Sequence, residues 1–192
     1  LKESWNEMPK HKKNETMDPD DLRDSVKADE HYRRFRRIVK NIAQEINIEK
    51  LHAELLRLHS GRKSRTLFVK RPSVDTVQEA GLQDSAYRSR MAEIYVEVDY
   101  HLGMLAEAVD KIRKHFIHEY RDNMEGLKTK GERLSYADQY IQSGLSLMHK
   151  LKRLLSTADV FIKDIDQTGY SFKNTIKTLE ILYSHKNDKK SI

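Results

Sequence analysis

Between His31 and Pro72 the chain carries twelve lysines and arginines: Arg33, Arg34, Arg36, Arg37, Lys40, Lys50, Arg57, Arg62, Lys63, Arg65, Lys70 and Arg71. Three acids stand against them, Glu45, Glu49 and Glu54, so the stretch has a net charge of +9. The whole chain carries +6, which leaves the remainder net acidic at −3. Such asymmetry points to a polyanionic partner, because clustered cations neutralise phosphates and release condensed counterions without needing a sequence code. Two segments mix cations with aromatic rings: His31-Tyr32-Arg33-Arg34-Phe35-Arg36-Arg37, and the run from Gly61 to Pro72 that holds Phe68 between Arg65 and Lys70. A base stacked on Phe68 would gain roughly 1–3 kcal/mol. The expected nucleic-acid contacts are therefore Arg33, Arg34, Arg36, Arg37, Arg62, Lys63, Arg65, Phe68, Lys70 and Arg71. Two blander readings stand beside this one. The basic loop could dock on an acidic protein neighbour, and a run of arginines on a helix can be a solvated face, with Phe35 on its buried stripe.

Other chemistry is sparse. The absence of cysteine excludes disulfides, thiolate catalysis and cysteine zinc sites. There is no P-loop, GxGxxG or GxSxG motif. Glu49-Lys50-Leu51-His52 has the ExxH spacing of helical di-iron sites, but the second ExxH and two further glutamates that such a site needs are missing, so a solvated helix face is expected. His115 and His118, beside Glu119, are expected as a surface pair flanking Phe116, since two histidines do not make a metal site. No helix-turn-helix, zinc finger or RNP motif is present, which favours backbone-directed, sequence-tolerant binding. Neither enzymatic activity nor a cofactor or metal is expected.

The elements that must carry these residues read as helices. Hydrophobic residues make up 38% and charged residues 34%, which suits long helices that each bury one narrow stripe. With 7 glycines and 3 prolines there are too few turn residues for a sheet protein. No window is apolar enough to cross a membrane, and the first residues lack a secretory pattern. Leu1 suggests a trimmed or processed start, with room for a targeting segment upstream. The cytoplasm is the expected compartment, that of the host cell if the protein is phage-encoded.

Residues 1–17 carry no apolar period and read as a tail. Asp18-Pro19 starts a helix with Leu22, Val26, Phe35, Ile38, Val39, Ile42 and Ile46 on one stripe. Asn47 is a candidate break, and Leu51, Leu55 and Leu58 continue to a stop at Ser60-Gly61. The period fails from Gly61 to Gln83, where Ser73 caps a short helical piece ending at Gly81. The predicted arm and linker are therefore 18–83, and the core is 84–186, ahead of a tail at 187–192. Tyr87, Met91, Ile94, Val98, Leu102, Leu105, Val109, Ile112, Phe116 and Tyr120 mark one face of an unbroken helix. Asp122 to Gly126 breaks it, and Thr129-Lys130-Gly131-Glu132 matches a capping box. From Ala137 to Tyr183 apolar or small residues alternate steps of four and three, the seam of a coiled coil. Gly144, Ala158 and Gly169 on that seam allow close approach, while Leu147, Leu154 and Phe161 widen it. The prediction is an all-α fold: a long antiparallel helical hairpin with an N-terminal helical arm, joined by further helices or a second copy.

This layout resembles the UvsY-type recombination mediators of tailed phages, in which a basic N-terminal part precedes a long helical hairpin. Ala86-Tyr87-Arg88-Ser89-Arg90-Met91 is similar to the aromatic-basic opening of that family's first hairpin helix. The segment from Ile162 to Lys173, with Asp164, Gly169, Tyr170 and Phe172, resembles its end segment. The resemblance covers about half the chain and implies a homo-oligomer that binds single-stranded DNA and helps to load a RecA-type recombinase. The competing expectation is a structural or assembly protein, such as a small terminase subunit or a scaffold, whose seam binds a protein partner.

Overall fold

The structure, a computed structural model, describes residues 17–67 and 73–188. Among them it is helical with no strands, and α4 packs against α6 in a hairpin-like arrangement. The helices are α1 (Pro19–Ala28), α2 (Glu30–Glu45), α3 (Ile48–Ser60), α4 (Val74–Glu119), α5 (Lys130–Asp138) and α6 (Gln142–Asp188), with short 3-10 turns at Lys63–Arg65 and Asp122–Met124. No described helix is long and apolar enough to cross a membrane. Two compact units form. One holds the described residues up to Ile42 with Met104–Leu147; the other holds Ala43–Gly103 with the described residues from Met148 onward.

In the first unit the stripe that runs from Leu22 to Ile42 is split between two helices at Asp29. That residue is extended, and its Oδ1 accepts the backbone N–H groups of His31 at 2.7 Å and Tyr32 at 3.1 Å, so it caps α2. Its Oδ2 accepts His115 Nε2 at 2.7 Å and the Tyr120 hydroxyl at 3.2 Å. Burial pushes the Asp29 carboxyl up, but the His115 bond and the backbone donors outweigh it and hold the group below its ordinary value. Around this anchor Leu22, Val26, Phe116, Tyr120, Met124 and Ala137 form a closed apolar cluster. Burial pushes the Tyr120 phenol up to about 12.

The second unit is built on Leu51, Leu55, Leu58, Met91, Ile94, Val98, Leu151 and Ala158, all buried. Arg90 ties α3 to α4 by donating to Glu54 at 2.8 and 3.3 Å, which holds the Glu54 carboxyl below its ordinary range. Phe161 is covered by His59, whose ring stacks on it at 3.9 Å. α3 thus supplies one of the surfaces that the widened stripe of α6 required.

Caps at Asp18 and Thr129 fall where the sequence places them, the latter as a full capping box, and Asn47, expected as a candidate break, caps α3. Three boundaries differ. First, α4 begins at Val74, capped by Ser73, and runs through Gly81. A glycine in a helix costs about 1 kcal/mol. Burying Val77 and Ala80 against Phe172 gains more, at about 1.5–3 kcal/mol for a valine alone. Second, the final helix is not continuous from Thr129. Tyr140 and Ile141 make tightened bonds to Ala137 and Asp138 carbonyls, and the Tyr140 carbonyl instead accepts the Tyr32 hydroxyl at 3.0 Å. Third, of the two seam glycines only Gly144 permits a close approach. A Cβ there would collide with the Phe35 ring and lie 3.3 Å from Val39, whereas nothing lies within 4 Å at Gly169.

The glycines predict opposite signs. Gly144→Ala should lower stability in urea denaturation by about 1–3 kcal/mol through overpacking. Gly169→Ala should raise it by about 0.5–1 kcal/mol through helix propensity. Asp29→Asn should cost about 0.5–2 kcal/mol at neutral pH. Because the folded Asp29 has the depressed pKa, its contribution is full above the ordinary value of 3.8 and is lost as pH falls below it. The difference between wild type and the variant should therefore close in acid, and a constant gap would contradict this account.

Candidate nucleic-acid interface

α2 buries Phe35 and Ile42, to 3% and 1% exposure, with Ile38 and Val39 half-buried beside them. At about 100° per residue, Arg33, Arg37 and Lys40 then point directly away from the core, and Arg34 and Arg36 flank them. All five are exposed. None makes an ion pair among the described residues; Arg33 Nε donates to the Lys27 carbonyl at 3.3 Å. Elsewhere some exposed cations have a carboxylate in reach, as Lys27 with Asp24, Lys111 with Glu107, Lys114 with Asp110, Lys163 with Asp159 and Arg88 with Asp166. Others, such as Lys50, Arg57, Lys150, Lys152 and Arg153, make no ion pair among the described residues. What distinguishes α2 is the density of such cations, which fall together within about two turns, an arrangement that favours an external polyanion.

On its Arg34 side α2 borders a cleft of about 620 Å³ shared with α4. Ile38 and Met104 contribute its apolar floor and Lys111 and Lys114 its far rim. At the cleft, His31 stacks on His115 with ring centroids 4.1 Å apart. Glu107 also lines the cleft, and Lys111 and Lys114 are ion-paired with Glu107 and Asp110, so the rim is charge-compensated on the α4 side and carries its unpaired cation, among the described residues, at Arg34.

The basic connector is a different environment, and it corrects part of the expected contact set. Arg62 is 3% exposed and is held with buried Ser64 and Asp84 in a polar cluster that reaches the surface at Asp164, whose side chain is 48% exposed. Arg62 Nε and Nη2 donate to the two oxygens of Asp84 at 3.1 and 2.9 Å; Nη2 also donates to Thr168 Oγ1 at 2.8 Å, and Nη1 to Asp164. Ser64 Oγ donates to Asp84 at 3.1 Å, and His59 Nε2 donates to Asp164 at 3.0 Å. Burial raises the Asp164 carboxyl, but the bonds from His59 and Arg62 hold it below its ordinary value. Every donor that Arg62 aims into the cluster is satisfied, so it is a core residue and not a phosphate contact. Lys63 is exposed but paired with Glu79, and its N–H donates to Gln83 at 2.8 Å. Arg65 is exposed with no ion pair among the described residues. Phe68, Lys70 and Arg71 lie outside the described residues.

A readable signal for the buried pair existed. Val77, Ala80, Asp84, Tyr87, Met91 and Ile94 step by three and four, which sets a carboxylate on the core stripe, where it requires a buried cation. His115 also departs from expectation. It is half-buried and turned onto Asp29, while His118 is exposed, so the two are not a solvated pair. Glu49 and His52 line a groove with Lys150 and Arg153, cations that oppose a metal there. Among the described residues no three His, Asp or Glu side chains gather as metal ligands.

Removing Arg62 would strand Asp84 in the core. Arg62→Met should therefore cost about 3–5 kcal/mol in chemical denaturation, and a loss below about 1 kcal/mol, the scale of an exposed ion pair, would show that the Arg62–Asp84 pair is open to water. No family model, no curated protein and no solved structure matches the chain.

Proposed function

We propose that this protein is a non-enzymatic nucleic-acid-binding protein that captures phosphate backbones on the cationic face of α2. The observation that carries the proposal is the set of five exposed cations, Arg33, Arg34, Arg36, Arg37 and Lys40, without carboxylate partners among the described residues. Each cation that meets a phosphate releases counterions, so affinity comes from charge density and is tolerant of sequence. The guanidinium groups add bidentate geometry to phosphate oxygens. Arg65 is a further candidate contact from the connector.

Single-stranded DNA as the ligand, a phage recombination or replication accessory role, assembly into homo-oligomers and a RecA-type recombinase as partner rest on the resemblance to UvsY-type mediators and are proposed on that ground. A second reading, a structural or assembly protein, is favoured by apolar side chains left exposed on α4: Leu82 at 74%, Val96 at 67% and Tyr100 at 64%.

Fluorescence anisotropy with a labelled oligonucleotide across a salt series separates the two. If all five cations of α2 engage a single strand, log affinity should fall against log salt with a slope of about −3.5, at about 0.7 per contact. Arg36→Gln/Arg37→Gln should make the slope shallower by about 1.4 and weaken low-salt binding roughly tenfold, with an unchanged denaturation midpoint because both residues are exposed. Binding independent of salt, or none at low salt, would overturn the proposal.

A further inference from the structure

The chain is basic between residues 31 and 72 and acidic in the remainder, and part of that acid is displayed as an ordered surface. In the second unit α4 buries Met91, Ile94 and Val98 completely. Its opposite side presents Glu93, Val96, Asp99, Tyr100 and Gly103, with Glu97 along one edge, all exposed. Glu97 and Asp99 have no cation partner among the described residues, and Glu93 takes one donor of an Arg90 that also holds Glu54. Val96 and Tyr100 therefore sit in the open amid uncompensated carboxylates, and nothing lies within 4 Å of a Cβ added at Gly103. An exposed apolar group rimmed by charge marks an interaction surface.

The chemistry of that surface is complementary to the α2 face. Arg33, Arg36, Arg37 and Lys40 recur with the same helical spacing as Glu93, Val96, Glu97 and Tyr100. Carboxylates accept bidentate bonds from guanidinium groups, and a tyrosine face attracts a guanidinium laid over it.

We propose that the outer face of α4 in one copy docks on the cationic face of α2 in a second copy, so that self-association covers the residues that capture a polyanion. The two surfaces differ, so a docked pair keeps one of each kind open and assembly grows with concentration. About two helical turns a side bury less than the roughly 1,200 Å² of a standard interface, which makes the contact weak and salt-sensitive. A phosphate backbone competes for the same arginines and disperses the assembly; this competition rests on the proposed function, whereas the docking does not.

Sedimentation and light scattering on the full chain test both parts. The wild type should gain mass with concentration at low salt and lose that gain at high salt. Glu97→Gln/Asp99→Asn/Tyr100→Ala and Arg36→Gln/Arg37→Gln should each remain a single copy. Their equimolar mixture should stop at two copies, because one intact surface of each kind remains. All of these side chains are exposed, and an unchanged circular dichroism melt checks that the variants fold. A wild type of constant mass, or an α4 variant that assembles like the wild type, overturns the docking. A short single-stranded oligonucleotide should return the wild type to single copies. It should bind the α4 variant more tightly than the assembled wild type, by the reciprocal of the uncovered fraction. Equal binding to both overturns the masking. An oligonucleotide that binds neither overturns the masking and the proposed function while leaving the docking in place.

Discussion

A guanidinium and a carboxylate, Arg62 and Asp84, lie almost wholly out of water in the second unit, and neither can stay there without the other. Their pairing joins the connector after α3 to α4, and the contacts of Arg62 with Asp164 and Thr168 extend it to α6. Three helices of the unit therefore meet at one cation. Desolvating such a group costs several kcal/mol, and that cost is offset only where all of its donors are satisfied. The connector can take no other path while this holds. Lys63 is thereby brought beside Glu79, and Leu67 against the Val77–Phe172 cluster.

The same principle separates the chain's cations into two populations. Where a carboxylate sits within reach, a lysine or arginine is part of the fold's own electrostatics, as with Arg90 on Glu54 or Arg113 on Asp138. On α2 Glu30 stands at helical spacing from Arg33 and Arg34 without forming an ion pair among the described residues, and Arg36, Arg37 and Lys40 have no acid three or four positions away along the helix. We propose that its charge meets an external partner, whether a phosphate backbone or the acidic side of α4 in another copy. These two ligands differ in range more than in kind. A polyanion acts along its whole length and releases counterions, while a helix face offers a few carboxylates and a tyrosine ring.

Much of this architecture is legible from local rules. Asp18, Asn47 and Thr129 cap helices because each can accept a backbone N–H two or three residues further along the chain. Gly144 belongs to the seam by period. Its contact with Phe35 could not be read, since the ring comes from a helix more than a hundred residues earlier. Asp29 carries no local signal as a cap, because the apolar stripe continues on both sides of it and its second oxygen is held by His115 and Tyr120 from a distant segment. Gly81 illustrates the reverse error: a local stop signal was overridden once Val77 and Ala80 found Phe172.

By itself the sequence determined the helical class, the buried stripes, the caps and the segregation of positive charge, because these follow from spacing and from chemistry shared by neighbouring residues. Only the tertiary structure decided which arginines belong to the core and which to the surface. Arg36 and Arg62 are alike in charge and in basic surroundings along the chain, but Asp84, Asp164 and Thr168 converge on one of them from distant segments, and no carboxylate of the described residues pairs with the other.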